Sequence, residues 1–250
     1  VVTQMMMKAI EEINANAEGI HITGYPNGVL GGSSDLVEGV QEGLVDIITE
    51  GPAQFAAWVP KAAQVEAPYL WQSVEHMQKA LNGGYKDTLN ELFQSIDVRI
   101  MGSFYYGTRQ LTANKPVNTL DDLKGMKIRV PQSDLYVKMV EAWGAAATPM
   151  NINELYMALS TGTVDAQENP LTTYESYKFY EVVKNVILTD HIICPNMIFI
   201  NNDVWNAMSE HDQQVVQTAI DNAVKWQDEQ IIEAEKTLAE DLKQYDVVVT

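Results

Sequence analysis

A single cysteine, Cys194, occurs among the 250 residues, which excludes an intrachain disulfide framework and a four-thiolate zinc site. A lone thiol of this kind reads as a small buried apolar residue. No apolar run approaches the roughly 18 residues of a membrane span. The longest, such as Met197-Ile198-Phe199-Ile200, have the length of a strand. Positive charge is scarce: 16 Lys and Arg face 34 Asp and Glu, for a formal net charge of -18. Such a chain is not a nucleic-acid binder, because that binding rests on basic side chains neutralising phosphates, and anionic membrane surfaces are disfavoured for the same reason. Catalytic signatures are missing as well. There is no G-x-S-x-G elbow, no G-x-G-x-x-G or Walker loop and no H-E-x-x-H, and the histidines (His21, His76, His191, His211) are scattered singly. Each histidine reads as a surface or packing residue, so no catalytic residue, metal ligand or cofactor is expected.

With 46% apolar and 20% charged residues, the chain has the composition of an ordinary globular protein of one large or two modest domains. The first residues, from Val1 to Lys8, contain neither an initiator Met nor a basic region followed by an apolar core, so the chain is expected to begin after processing or trimming. Short apolar runs (Ile20 to Thr23, Val45 to Ile48, Arg99 to Met101, Met126 to Val130) alternate with helical patterns (Leu36 to Gln41, Glu75 to Leu81). This rhythm predicts an α/β protein of parallel strands joined by helices.

One internal echo adds to the rhythm. A helix starting near Asp35 is followed by Gly43-Leu44-Val45-Asp46-Ile47 and then Glu50-Gly51-Pro52. A helix starting near Asn153 is followed by Gly162-Thr163-Val164-Asp165-Ala166 and then Glu168-Asn169-Pro170. Each copy reads as a helix stopped by Gly, a short strand, and a loop at the strand's carboxyl edge, where open α/β sheets bind ligands. Two such copies imply two similar lobes around a cleft; the alternative is a common helix-to-strand turn that occurs twice. Further on, Ser209 with Asp212 resembles a capping box, and Val216, Ile220, Val224, Ile231, Leu238 and Leu242 recur at helical spacing. A helix over about 209–245 is expected, packed as a strut along both lobes, before Val247-Val248-Val249 ends the chain as a strand.

An acidic protein that takes an anionic ligand must meet it with a few cations placed locally. Only three arginines are present, Arg99, Arg109 and Arg129. Arg129 lies in Lys127-Ile128-Arg129-Val130-Pro131, where period-2 alternation puts it on the face opposite Ile128 and the Pro ends the ladder. A guanidinium there offers a planar fork that grips a carboxylate with two hydrogen bonds. An ion pair between lobes or at the surface explains the residue equally well. Asn169 can donate its amide to the same carboxylate, although an Asn-Pro step is usually just a turn. Glu50 and Trp71 are candidates for the cleft edge, and Trp71 reads first as core or rim packing.

Five segments in order carry a family resemblance: Gly107-Thr108-Arg109-Gln110; Asp122 to Pro131; Thr148-Pro149-Met150; Glu154 to Leu159; and Val164 to Leu171. Together they resemble the solute-binding proteins of TRAP (tripartite ATP-independent periplasmic) transporters, through Phe179-Tyr180-Glu181-Val182 and the terminal helix. The resemblance implies a two-lobed, periplasmic-binding-protein-like α/β fold with the long helix spanning both lobes. The expected division is residues 1–105 plus about 196–230 in lobe I, and 106–195 plus about 231–250 in lobe II. It further implies a receptor that closes on a small organic acid, hands it to TRAP membrane subunits and catalyses nothing, working as a periplasmic monomer whose signal peptide has been removed. Arg129 is then the residue that salt-bridges the ligand carboxylate, helped by Asn169 and, as in many members, Arg109. Some members place an aromatic at the position of Ile152, which is aliphatic here. Sialic-acid binders carry charged residues where this chain has Gly51 and Gln54, so sialic acid is disfavoured. Glu50 instead suggests a hydroxylated acid such as a sugar acid. The family has a strand ahead of the first helix, so some ligand contacts are expected outside this chain. The rival readings are an enzyme on the same two-lobed cleft, and a signalling protein that has kept the fold without the pocket.

Overall fold

The computed structural model describes residues 1–250. The first elements are helices α1 (Val2–Asn16) and α2 (Ser33–Gln41), strand β1 (Ile47–Glu50), helices α3 (Val74–Leu81) and α4 (Gly84–Phe93), and the long strand β2 (Val98–Ala113). Then come β3 (Lys127–Val130), α5 (Asp134–Ala142), β4 (Ala146–Pro149), α6 (Ile152–Ser160), β5 (Ala166–Pro170) and α7 (Leu171–Ser176). The chain closes with β6 (Asn185–Asn201), α8 (Asn202–Ala207), α9 (Glu210–Glu235), α10 (Leu238–Asp241) and β7 (Val248–Val249). All seven strands form one sheet in the order β1-β6-β2-β5-β3-β4, with β7 beside β6.

The sheet is mixed rather than parallel. β3 runs parallel to β4 and β5, but β2 and β6, of 16 and 17 residues, pair antiparallel along their length and also carry β5 and β1 antiparallel. These two strands, at about 3.3 Å per residue, are long enough to traverse two cores in succession. Buried apolar side chains accordingly gather in four clusters. Two flank the end of the sheet that carries β1, one under α2, α3 and α4 and one under α1 and α9. The other two flank the end that carries β3, β4 and β5, among α5, α6, α7 and α10. These ends are the two lobes.

The internal echo is a structural repeat. α2 and α6 each span nine residues and each is followed by a glycine in the left-handed region, Gly43 at φ 69° and Gly162 at φ 70°. The N–H of the next residue closes the helix end in both copies, Leu44 onto Gly39 O at 2.8 Å and Thr163 onto Ala158 O at 2.9 Å. Strands β1 and β5 then lead to Glu50 and to Glu168-Asn169 at corresponding places.

Two further sequence expectations are corrected. Ile20 to Thr23 is not a strand: the Ile22 N–H and C=O are satisfied by the side-chain amide of Asn14, at 2.7 and 2.8 Å, instead of by a ladder. The terminal helix is interrupted: α9 stops at Glu235, and a separate short helix and turn follow from Leu238 to Tyr245. The last turns of α9 hold a bend in β2. That strand slips register between Tyr105 and Gly107, and there Asp228 accepts the Tyr105 N–H at 2.6 Å and Glu235 accepts the Thr108 N–H at 2.7 Å.

Candidate functional site

Arg129 is delivered by β3 between β4 and β5, opposite Thr148 on one side and Gln167 on the other. Its neighbour Ile128 points into the second-lobe core with no exposure, and Arg129 on the other face is itself only 4% exposed. Nε and Nη2 both donate to the carbonyl of Met150, at 2.9 and 2.7 Å. No carboxylate lies within salt-bridge distance, although the other cation buried nearby, Arg109, has one. A buried guanidinium without a counter-ion is costly, by several kcal/mol. Burial pulls its pKa down to about 10, with the Arg109 charge adding to the effect and Glu168 opposing it. At neutral pH it remains a cation, oriented by one carbonyl and free to grip an anion with the rest of its fork.

Arg109 is occupied differently. Its Nε donates to Glu168 Oε2 at 2.5 Å, and its Nη2 donates to Glu168 Oε1 at 2.9 Å, to the Glu168 carbonyl at 2.8 Å and to Asn169 Oδ1 at 3.2 Å. His191 Nε2–H donates to the same carboxylate at 3.1 Å, while its Nδ1 meets Thr189 Oγ1 at 2.7 Å. Burial alone would raise the Glu168 carboxyl, but Arg109 and the hydrogen bond from His191 outweigh it and hold it below the ordinary carboxylate range. Arg109 is therefore the core of a buried ion pair at the junction of β2, β5 and β6. His191, read from sequence as a surface or packing residue, is fully buried in that polar network. Asn169 is buried too, with its amide donating to Gln167 Oε1 at 2.6 Å. It stands one residue from Glu168 on the strand beside Arg129, and its Nδ2 must rotate from Gln167 to reach a ligand.

Glu50 ends β1 in the first lobe and is half-buried. Burial pushes its pKa up to about 7, and the neighbouring Glu66 carboxyl adds to the shift. Tyr177, just past α7, is exposed, with its ring stacked on Phe179 and its hydroxyl near enough to Arg129 and Glu50 to feel both charges. Glu66 itself accepts the Ala53 N–H at 2.7 Å and a short hydrogen bond from Tyr136 of α5, which ties the two lobes together. Neither Tyr177 nor Glu66 stands out in the sequence, since a Tyr beside Phe179 and a Glu in an Ala-rich turn have no motif around them. Trp71 packs against the first-lobe core and donates from Nε1 to Val65 O at 2.7 Å, the contacts of a packing residue. Ile152 opens α6 and packs partly into the α6–α7 cluster. A groove of about 990 Å³ between α3 and α9 is lined by charged residues such as Lys79, Lys86 and Asp228 and includes none of these candidates.

Glu50 gives a pH signature. Its carboxyl holds a proton more tightly in the folded chain than its ordinary value of 4.5 allows, so the stability it contributes is complete below about 4.5 and is lost as pH rises through about 7. Glu50→Gln should flatten the melting temperature between about pH 5 and pH 8, with the variant gaining on wild type toward the alkaline end. A parallel fall in both proteins would remove Glu50 as the cause.

Two lobes built around a repeated α/β unit, one of them holding a buried arginine without a carboxylate partner, have the architecture of the two-lobed class of ligand-binding receptors. Residues 2–250 match the bacterial extracellular solute-binding proteins of family 7 (DctP), and the chain belongs to that family. It is 33% identical over 218 residues to the sialic acid-binding periplasmic protein of Vibrio cholerae, covering 87% of this chain and 67% of that protein. In three dimensions it is similar to a TRAP periplasmic solute-binding protein of Roseobacter denitrificans solved with bound L-galactonate (TM-score 0.94, 32% identity, 99% of this chain and 83% of that one). It is equally similar to one of Xanthobacter autotrophicus solved with bound β-D-galacturonate (TM-score 0.94, 29% identity, 99% and 84%). The two-lobed fold and the solute-receptor class expected from the sequence are thereby shown, and no helix is long and apolar enough to cross a membrane.

Proposed function

We propose that the protein is the periplasmic receptor of a TRAP transporter for a hydroxylated monocarboxylate of the sugar-acid class, with no catalytic activity. The observation that carries this reading is Arg129, buried, charged and without a carboxylate of its own. A ligand carboxylate supplies the missing counter-ion, and Asn169, next to it on β5, is placed to add its amide. On the opposite wall Glu50 accepts hydrogen bonds from ligand hydroxyls, whereas a second ligand carboxylate there would be repelled. L-Galactonate and galacturonate, each bound to a relative, have this pattern of one carboxylate and several hydroxyls. Arg109 supports the site from behind by fixing Glu168 and Asn169. The two lobes, residues 1–105 plus about 196–230 and 106–195 plus about 231–250, close over the acid; closure removes water and strengthens the ion pair. The monomer then presents the closed form to the membrane subunits.

A thermal-unfolding screen against uronates, aldonates, simple monocarboxylates and dicarboxylates tests this. A ligand at about 100 times its Kd adds roughly 2.7 kcal/mol, a shift of several degrees. A rise confined to uronates or aldonates is expected. No shift with any acid, or turnover of the acid that binds, would contradict the proposal.

A further inference from the structure

Where the lobes meet above Arg129, the first turn of α2 faces the first turn of α6. Gly32 is the N-cap of α2 and Asn151 the N-cap of α6. A Cβ built on Gly32 would stand 1.6 Å from Asn151 Nδ2 and 2.8 Å from its Cγ. Two contacts flank this one. Ser34 Oγ donates to Gln132 Oε1 at 3.3 Å, and a Cβ on Gly28 would lie 2.9 Å from Asn153 Nδ2. The backbone at Gly32 has φ -86° and ψ -176°, a conformation open to any L-residue. Its own conformation therefore does not demand glycine; the approach of the other lobe does.

Asn151 can move aside only by giving up its cap. Its Oδ1 accepts the Asn153 N–H at 3.0 Å and so caps α6, and the carbonyl of the preceding residue, Met150, is the anchor for Arg129. A continuous line of contacts thus runs from the guanidinium through Met150 and Asn151 to Gly32 of the opposite lobe.

We propose that Gly32 and Asn151 form the contact that sets the closed position of the lobes, and that residue 32 must lack a side chain for the cleft to shut over Arg129. The ligand arm of the test rests on the receptor reading; the distance arm does not. Cysteines introduced at the exposed positions Glu91 in α4 and Glu141 in α5 carry spin labels, and the native thiol, Cys194, is buried and stays unlabelled. Label-to-label distances are measured with and without D-galacturonate and L-galactonate, alongside calorimetry of the same acids, in wild type, Gly32→Ala, Asn151→Ala and the double variant. Gly32→Ala is expected to lose the closed distance seen in wild type and to weaken acid binding about ten- to hundredfold, as overpacking of one methyl does. Asn151→Ala in the same chain removes both atoms in the way and should restore the closed distance. A Gly32→Ala protein that closes like wild type, a double variant that stays open, or a wild type with no closed population in any condition overturns the proposal. A wild type that closes yet binds neither acid counts against the sugar-acid reading and leaves the contact standing.

Discussion

Replacing Arg129 by Met should raise the melting temperature of the ligand-free protein and, in the same molecule, weaken its binding of acid by on the order of a hundredfold or more. The two effects share one cause. Without ligand, Arg129 is a buried cation held by one carbonyl and lacking a carboxylate, and an apolar side chain of similar length removes that desolvation cost. With ligand, the same guanidinium is the counter-ion, and nothing replaces it. A structural ion pair behaves in the opposite way, losing stability when either partner is removed. Arg129→Lys keeps the charge but not the fork, so it should retain only a small part of the affinity. Calorimetry and melting curves on the three proteins decide; a destabilised Arg129→Met with unchanged affinity would assign the residue to the fold.

The second large effect is expected at Glu168. Glu168→Ala leaves Arg109 buried with its principal partner gone, and breaking such a pair costs about 3–5 kcal/mol, on the order of 10 °C in a domain of this size. The double variant Arg109→Met/Glu168→Leu should recover most of that loss, because both charges leave together. Additive losses in the double variant would show that the pair is held by contacts other than its charges.

Arg109 and Arg129 show how far the sequence could be read. Both stand out as scarce cations in an acidic chain, and the strand around Arg129 is legible from its alternation and its Pro. Which arginine has a partner was not legible. That depends on β2 and β5 aligning Arg109 opposite Pro170, with Ile192 of β6 on its other side, a register set by two long strands whose pairing no local pattern announces. His191 is buried, as the packing reading allows, but its place in the ion-pair network arises only through that pairing. The repeated helix and Gly turn were legible because both copies use one local device, a glycine with positive φ. The break at Lys236–Thr237 was not, since the helical spacing of Leu238 and Leu242 continues across it. The Gly32–Asn151 contact arises only where the lobes meet, and no window of sequence contains both sides.

The most direct measurement is a crystal structure of the protein with a bound sugar acid, D-galacturonate or L-galactonate. The account predicts the ligand carboxylate within hydrogen-bond distance of the Arg129 guanidinium, its hydroxyls turned toward Glu50, and the Arg109–Glu168 pair intact. An acid bound with its carboxylate on Arg109, or lodged in the groove between α3 and α9, would contradict it.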